Sequence, residues 1–153
     1  MAPRLVRYDA PGWGVGELWL DGARVLWHEH PRASGRPEGS HPLAERLRAY
    51  FEGAPDDFAD VELDLEELTP FGRAMADALR ALPRGEVVSY GELAALAGRP
   101  GAARAAGTFC AQNRLAIFVP CHRVVGADGL GGYGSLGLDY KRRLLQLEGV
   151  LAL

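Results

Sequence analysis

The sequence predicts two modules: a small N-terminal α/β domain over residues 1–68 and a mostly helical C-terminal domain over residues 69–153. Strand-like alternation is confined to the first module, whereas helix-start signals follow one another in the second. The charge balance changes at the same place. Residues 1–69 hold 7 Lys+Arg and 14 Asp+Glu, a net charge of −7, and residues 70–153 hold 10 and 6, a net charge of +4. Charge therefore favours the second module as a phosphate-binding one, although basic residues on solvated helices would give the same balance.

Composition places the chain among ordinary globular proteins. It has 153 residues, 48% of them hydrophobic and 24% charged, which is enough to bury a continuous core. No apolar run approaches the ~20 residues of a membrane span, and the N-terminus lacks the apolar core of a signal peptide, so we expect a cytoplasmic protein. The two cysteines, Cys110 and Cys121, are too few for a disulfide framework or a four-thiolate zinc site. Each is therefore considered as a nucleophile.

Patterns in the N-terminal module predict a short sheet with one helix. Apolar segments at residues 15–20 and 24–28 flank Asp21-Gly22, a dipeptide typical of a tight hairpin turn. After a polar loop, Pro42 marks a helix start, and apolar residues follow at helical spacing: Leu43, Leu47, Tyr50 and Phe51. Alternation over residues 61–65 predicts a further strand with one solvated face.

Three helices are expected in succession in the C-terminal module. Thr69-Pro70 is a helix cap followed by a first-turn proline. Ser89 and Glu92 have the spacing of a capping box, and a further helix is expected over about residues 100–113. This order of helix, short turn and helix has the proportions of a helix-turn-helix.

The last of these helices has few bulky side chains. Arg104 is the one large residue between residues 102 and 107, which are otherwise alanine and glycine. Such a helix can bring its backbone very near another surface, either a neighbouring helix or a nucleic acid. The cationic side chain favours nucleic acid, so Arg104 is a candidate DNA contact.

The tetrad Pro120-Cys121-His122-Arg123 separates two short apolar runs at residues 117–119 and 124–126. A single cysteine is commonly a small core residue. Here the adjacent histidine and arginine are expected to lower the pKa of the Cys121 thiol and make it nucleophilic. Cys110 is expected in a helix without such neighbours.

To act on the Cys121 thiol, His122 must contact it directly or through a water. Consecutive side chains of an extended chain point to opposite faces, so His122 would reach Cys121 through a bridging water unless the backbone turns between them. A carboxylate commonly orients the other ring nitrogen, and a C-terminal helix expected over residues 139–148, capped by Asp139, offers Glu148. Without further context, the favoured interpretation of Glu148 is a solvated acid at a helix end.

Residues 120–126, Pro-Cys-His-Arg-Val-Val-Gly, resemble the signature Pro-Cys-His-Arg-Val of the O6-alkylguanine-DNA alkyltransferases, also called methylated-DNA–protein-cysteine methyltransferases. Further matches occur in the family's order at residues 89–94, 103–105, 113, 132–133, 141 and 147–149. The resemblance covers about residues 69–150. The first 68 residues are similar only in general layout to the family's variable N-terminal domain, which implies a ribonuclease H-like α/β fold.

The resemblance implies DNA repair by irreversible, single-turnover transfer of an alkyl group from O6-alkylguanine, and by extension O4-alkylthymine, to Cys121. The damaged base would first be rotated out of duplex DNA, which the family approaches from the minor groove. His122 would take the thiol proton through a water, and Glu148 would orient His122. Tyr90 would donate a proton to guanine N3, and Asn113 would hold the active-site turn. No cofactor or metal is implied, and a monomer is expected.

Two further sets of residues correspond to family positions. Arg104 matches the residue that fills the space left by the rotated base. The DNA-contacting set as a whole is Ser89, Tyr90, Ala103, Arg104, Ala105 and Arg123. The set that would line the substrate pocket is Val119, Pro120, Tyr133, Gly134, Ser135 and Gly137.

The sequence departs from the family pattern near the site. Arg114 replaces the proline that commonly follows Asn113, which is expected to loosen that turn, and the loop over residues 133–138 is one residue longer than usual. The cysteine ligands of the zinc site in some animal members do not occur in the N-terminal module. Its histidines, His28, His30 and His41, are interpreted as plain surface residues rather than metal ligands.

Three other functions fit parts of the pattern. A non-catalytic alkyltransferase-like protein, which recognises the lesion and recruits other repair factors, would lack the acceptor that Cys121 provides. A helix-turn-helix regulator would need more base-reading side chains than Arg104 alone. A Cys-His-Glu hydrolase would turn over and release a free product instead of keeping a modification.

Overall fold

The computed structural model describes residues 2–150, which form two compact units. The first unit runs to Asp64 and includes Arg114–Phe118, and the second comprises Leu65–Asn113 and the chain from Val119 onward. By contact, residues 65–68 thus group with the second unit and residues 114–118 with the first. The division into domains 1–68 and 69–153 stays a prediction. The fold is mixed α/β, and among the described helices none is long and apolar enough to cross a membrane.

The first unit contains a three-stranded antiparallel sheet in the order β1-β2-β3. Its strands are β1 (Arg4–Ala10), β2 (Gly14–Asp21) and β3 (Arg24–Arg32). The hairpin predicted around Asp21-Gly22 is confirmed, with Asp21 paired to Arg24. Strand β1 was not predicted, although its buried positions alternate as a strand requires. Its inward residues are Val6, Tyr8 and Ala10.

Helix α1 (Pro42–Phe51) begins at the predicted proline and buries the four predicted apolar residues. Its first turn is capped by His41, whose Nδ1 accepts from the backbone N–H of Leu43 over 3.0 Å. The strand predicted over residues 61–65 is wrong. The segment makes a single bridge, between Leu63 and Val25, because a turn closed by the hydrogen bond from Leu68 N to Leu65 O follows at once.

Residues 114–118 complete the first unit. The backbone N–H of His28 donates to the carbonyl of Arg114 over 2.9 Å, and the Phe118 ring lies 5.1 Å from that of Phe58. The Arg114 guanidinium lies 5.5 Å from the centre of the Trp27 ring. The arginine that replaces the family's proline is therefore anchored by an aromatic ring.

The second unit is built mainly of helices α2 (Pro70–Ala81), α3 (Tyr90–Leu96), α4 (Ala103–Ala111) and α5 (Gly137–Leu147). The predicted Thr69 cap and the Ser89–Glu92 capping box are both confirmed. Helix α4 is shorter than predicted because residues 99–102 form a turn, closed by the hydrogen bond from Ala102 N to Arg99 O. The prediction that Asp139 caps the last helix is wrong, since α5 begins two residues earlier and Asp139 lies in its first turn.

A short parallel ladder brings the start of α3 beside the Pro-Cys-His-Arg tetrad. Strand β4 (Val88–Ser89) pairs with β5 (Val124–Val125), which follows the tetrad directly. Ser89 of β4 is also the N-cap of α3, so Tyr90 enters the helix next to this ladder. The pairing therefore fixes where Tyr90 starts relative to the cysteine.

Candidate active site

Cys121 opens a 3-10 helix, Cys121–Arg123, and lies with only 6% of its surface exposed. The backbone therefore turns at the tetrad instead of staying extended. Even so, neither ring nitrogen of His122 hydrogen bonds to the Cys121 thiol, so a bridging water is still needed between them. The Cys121 N–H donates to Val119 O over 2.8 Å, and Asn113 Nδ2 donates to the same carbonyl over 2.8 Å. The Asn113 side chain also hydrogen bonds to the Cys121 thiol. The Asn113 side chain is thus hydrogen bonded to the turn that carries Cys121, with Arg114 beside it.

Glu148 is a buried carboxylate, 5% exposed, and not the solvated helix-end acid that the sequence left open. Its Oε1 lies 3.0 Å from His122 Nε2. Arg123 donates to both carboxylate oxygens of Glu148, from Nε and Nη2, each over 2.8 Å. Its third nitrogen, Nη1, donates to the carbonyl oxygen of Leu82. Burial tends to raise the pKa of Glu148, but the hydrogen bonds from Arg123 and His122 hold it far below the usual value. Glu148 is therefore a carboxylate.

His122 is fully buried, and this burial lowers its pKa despite the opposing effect of Glu148. The ring is therefore neutral near pH 7. A carboxylate can only accept, so the 3.0 Å approach of Glu148 Oε1 favours the tautomer with the proton on Nε2. This leaves Nδ1 as the acceptor, and Nδ1 has no hydrogen-bond partner among residues 2–150. The ring is held in the tautomer that suits a general base.

The expectation that His122 and Arg123 lower the pKa of the Cys121 thiol is wrong. Burial is the largest influence, and together with Cys110 it raises the pKa of Cys121 well above the usual value. The neighbouring side chains, neutral His122 and cationic Arg123, are both directed at Glu148 instead. Cys121 therefore rests as a thiol, which needs a base before it can act as a nucleophile.

Cys110 is a neighbour of Cys121 that residue reasoning missed. It lies in α4, half-buried, and its side chain hydrogen bonds to that of Cys121. That hydrogen bond lowers the pKa of Cys110. The available signal was its position one helical turn before Asn113, whose side chain hydrogen bonds to the carbonyl that precedes the Pro-Cys-His-Arg tetrad.

Lys141 is a second residue that the candidate site did not include. Its ammonium group is fully buried and donates to the carbonyl oxygens of Val124 (2.5 Å), Leu130 and Gly132 (3.2 Å). Burial lowers its pKa, while the electrostatic effect of both cysteines opposes this. Lysine is almost never fully buried without such partners, so composition alone gave no signal for it.

Tyr90 is half-buried, with the Lys141 Nζ 5.8 Å from its ring centre. Burial is the main cause that raises the pKa of its hydroxyl, and both cysteines add to this. Gly131, with φ of 75°, lies so close that a Cβ there would come within 2.9 Å of the Tyr90 ring. The Tyr90 hydroxyl therefore stays protonated, and its ring packs against the backbone of Gly131.

The other predicted residues are dispersed over two regions. Ala103, Arg104 and Ala105 are exposed in the first turn of α4, and Ser89 is half-buried in its capping box. Arg123, predicted to contact DNA, is buried against Glu148. The predicted pocket residues divide between the buried chain before Cys121 and the loop before α5: Val119 and Pro120 are buried, Tyr133 and Gly137 are half-buried, and Gly134 and Ser135 are exposed.

The histidines of the first unit have structural contacts. His28 and His30 are buried, so their interpretation as surface residues is wrong. His28 Nδ1 lies 2.7 Å from Ala116 O, and its Nε2 lies 2.7 Å from the Tyr8 hydroxyl. Within residues 2–150 no group of three or more His, Cys, Asp or Glu side chains could hold a metal ion.

Comparison with known proteins gives consistent matches. Residues 70–150 match the family model described as 6-O-methylguanine DNA methyltransferase, DNA binding domain. A methylated-DNA–protein-cysteine methyltransferase of Mycolicibacterium paratuberculosis is 49% identical over 127 residues, which is 82% of this chain and 72% of that protein. The crystal structure of Mycobacterium tuberculosis O6-methylguanine methyltransferase has a TM-score of 0.78 at 38% identity, covering 96% of this chain and 93% of that one. Mycobacterium tuberculosis OGT in complex with DNA has a TM-score of 0.79 at 39% identity, covering 94% and 92%.

These matches extend over both units and include the segment that carries Cys121, His122 and Glu148. The family model alone spans more than half of the chain. The chain therefore belongs to the methylated-DNA–protein-cysteine methyltransferase family.

Proposed function

We propose that the protein repairs DNA by moving a methyl or other alkyl group from O6 of a guanine in duplex DNA to the sulfur of Cys121. The observation that carries the proposal is the buried Glu148–His122 pair, which leaves His122 Nδ1 as an acceptor one residue from a buried thiol. A general base oriented by a carboxylate is what a resting thiol with a raised pKa needs. The family membership supports the same activity.

The chemistry begins with removal of the thiol proton. His122 Nδ1 takes this proton from Cys121 through one water, and Glu148 stabilises the resulting imidazolium. The thiolate attacks the alkyl carbon in line with the bond to O6. An S–C bond forms as the C–O6 bond breaks, and the electron pair of the broken bond goes to the guanine.

Tyr90 protects the leaving guanine from departing as a bare anion. The pKa of its phenol is raised, so it carries a proton that it can donate to guanine N3. The thioether formed on Cys121 is a poor leaving group, so the alkyl group does not pass on to the neighbouring Cys110 thiol. The transfer is therefore irreversible, and each molecule acts once.

For DNA recognition, we assign α3 and α4 to a helix-turn-helix that meets the duplex from its minor groove. The exposed first turn of α4 carries Arg104 between two alanines, so its backbone can approach closely while Arg104 fills the space left by the rotated base. Ser89 and Tyr90 begin α3 near this face. Since Arg123 is committed to Glu148, we assign it a positioning role instead of a DNA contact.

The substrate pocket is proposed between the acceptor turn and the loop before α5. Val119 and Pro120 would present backbone on one side, and Tyr133 and Ser135 would face the base on the other. Gly134 and Gly137 have φ of 53° and 83°, left-handed values that favour glycine and give the loop its shape.

Several finer assignments are part of the same proposal. The N-terminal unit is assigned a ribonuclease H-like fold, and the protein is expected to act as a monomer in the cytoplasm without a cofactor. O4-alkylthymine is proposed as a second substrate. Cys121, the proposed acceptor, separates this proposal from a non-catalytic lesion-binding relative.

The test is stoichiometric transfer followed by mass spectrometry. Equimolar protein and a duplex with one O6-methylguanine are mixed, and intact protein and peptides are analysed, with Cys121→Ala and Cys110→Ala in parallel. We expect one methylene mass on the peptide with Cys121, saturating at one per protein, and none in Cys121→Ala. Binding of the lesion without any modification would instead favour a lesion-recognition role. Turnover of an ester or amide would favour a hydrolase.

A further inference from the structure

Cys110 and Cys121, the two cysteines of the chain, lie side by side in the second unit. Their side chains hydrogen bond to each other, although ten residues separate them in sequence. The contact is held from both sides, because Asn113 and Cys121 donate to the same Val119 carbonyl, each over 2.8 Å. Asn113 follows α4 directly after Gln112, so this carbonyl ties the end of the Cys110 helix to the acceptor turn.

The two thiols differ in exposure and in their readiness to ionise. Cys121 is buried, whereas Cys110 is half-buried and can be reached by small molecules. The hydrogen bond from the Cys121 thiol lowers the pKa of Cys110, and the Lys141 ammonium contributes to the same shift. Because it is the more exposed of the two, Cys110 is the sulfur that a small oxidant meets first.

We propose that Cys110 is an oxidation site whose partner is the acceptor: hydrogen peroxide converts Cys110 and Cys121 into a reversible disulfide. The bond blocks alkyl transfer, a consequence that rests on the proposed function. It also keeps the acceptor sulfur from passing to a sulfinic acid, which ordinary thiols do not reverse. Because each acceptor can be used only once, a disulfide that can be reduced again keeps unreacted molecules available for repair.

The reaction balances with peroxide as the oxidant. The Cys110 thiolate attacks hydrogen peroxide, which gives Cys110 sulfenic acid and hydroxide. The Cys121 sulfur then attacks the Cys110 sulfur, the S–S bond forms, and the S–O bond breaks. The departing hydroxide and the Cys121 proton leave as water. Two thiols lose two electrons, one peroxide becomes two waters, and a dithiol reverses the change by exchange.

The sequence allows a direct measurement of the disulfide. Trypsin cleaves after Arg104, Arg114 and Arg123, so the two cysteines fall on separate peptides, residues 105–114 and 115–123. The full-length protein is treated with hydrogen peroxide, free thiols are alkylated, and the digest is analysed without reduction. We expect one species that joins both peptides and lacks two hydrogens, and its abundance should rise as methyl transfer from an O6-methylguanine duplex falls. Dithiothreitol should restore both reduced peptides and the transfer.

The controls are Cys110→Ala and Cys110→Ser, each compared with its own untreated sample. In both we expect sulfinic acid on Cys121 and a loss of transfer that dithiothreitol does not reverse. The proposal is overturned if no joined peptide forms and Cys121 oxidises at the same rate in wild type and variants. The mass measurement does not depend on alkyl transfer. A joined peptide in a protein that never accepts a methyl group would uphold the disulfide and reject the proposed function.

Discussion

Arg123 and Glu148 form a buried bidentate ion pair, in which Nε and Nη2 of the arginine each lie 2.8 Å from a different carboxylate oxygen. The same carboxylate lies 3.0 Å from His122 Nε2. Because Arg123 already compensates the negative charge, His122 need not be protonated for Glu148 to stay buried. Burial is the main cause that lowers the pKa of His122, and the arginine of the signature tetrad adds to it, so the histidine stays neutral and able to accept a proton.

Glu148→Gln should damage both stability and chemistry. The change leaves Arg123 buried without a counter-ion, which costs about 3–5 kcal/mol of unfolding free energy. It also lets the side-chain amide donate to His122 Nε2, which favours the wrong tautomer, and we expect transfer to slow by roughly 10²-fold or more. Urea unfolding followed by circular dichroism and single-turnover transfer measure the two effects.

Arg123→Lys is the matched control for Glu148→Gln. It keeps the positive charge but loses the paired hydrogen bonds, so we expect smaller losses of stability and of transfer rate. Equal slowing of transfer in the two variants would argue against an orienting role for Glu148.

His28 should make the first unit sensitive to mild acid. Burial lowers its pKa from 6.5 to about 4, the backbone hydrogen bond to Ala116 opposing this in part. The unfolded chain binds a proton below pH 6.5 that the folded chain binds only near pH 4. Stability therefore falls as pH decreases through this window, by roughly 3 kcal/mol.

His28→Gln should flatten this pH dependence, because glutamine does not titrate. All three tryptophans, Trp13, Trp19 and Trp27, belong to the first unit, so their fluorescence during urea unfolding at pH 4 to 7.5 reports on it. His41→Asn, which exchanges one helix-capping residue for another, should keep the wild-type slope. An unchanged slope in His28→Gln would assign the acid sensitivity to other groups.

Lys141→Met should loosen the loop near the acceptor. The substitution fills similar volume but leaves the carbonyls of Val124, Leu130 and Gly132 without their shared donor. We expect a loss of at least about 2 kcal/mol in unfolding free energy, together with slower transfer. Arg142→Met, on the exposed face of the same helix, should change stability by less than about 0.5 kcal/mol. Comparable losses in both variants would contradict a special role for the buried ammonium.

Arg104→Ala should impair use of duplex DNA without impairing the chemistry. The side chain is exposed, so we expect an unfolding free energy within about 0.5 kcal/mol of wild type. Transfer from an O6-methylguanine duplex should slow at least tenfold, while transfer from the free O6-methylguanine base stays unchanged. Arg48→Ala, which removes an exposed cation from α1, controls for the loss of charge. Equal slowing with the duplex and the free base would place Arg104 in the chemical step.

The helix starts of the second unit could be predicted from sequence because they depend on residues a few positions apart. The Thr69 cap and the Ser89–Glu92 capping box are satisfied locally, whatever the helices pack against. Strand patterns were less dependable. Residues 61–65 alternate yet make one bridge, since a strand also needs a partner along its length.

The electrostatics of the site depend on long-range contacts and could not be predicted from neighbouring residues. His122 and Arg123 follow Cys121 in sequence, but both are directed at Glu148, 25 residues beyond Arg123. The family resemblance identified Cys121, His122 and Glu148 as partners. It gave no signal that burial would make the resting acceptor a thiol or that Cys110 would contact it.

Residues 114–118 have a consequence for modularity. The chain leaves the second unit after Asn113, pairs with β3 in the first unit, and returns to the second unit at Val119, just before the acceptor. Dividing the chain at any one position therefore does not give two fragments that each contain one complete unit. A recombination event that exchanges the N-terminal half between relatives must also exchange this internal segment or keep the two compatible. The N-terminal half can diverge in sequence, but residues 114–118 must change with it.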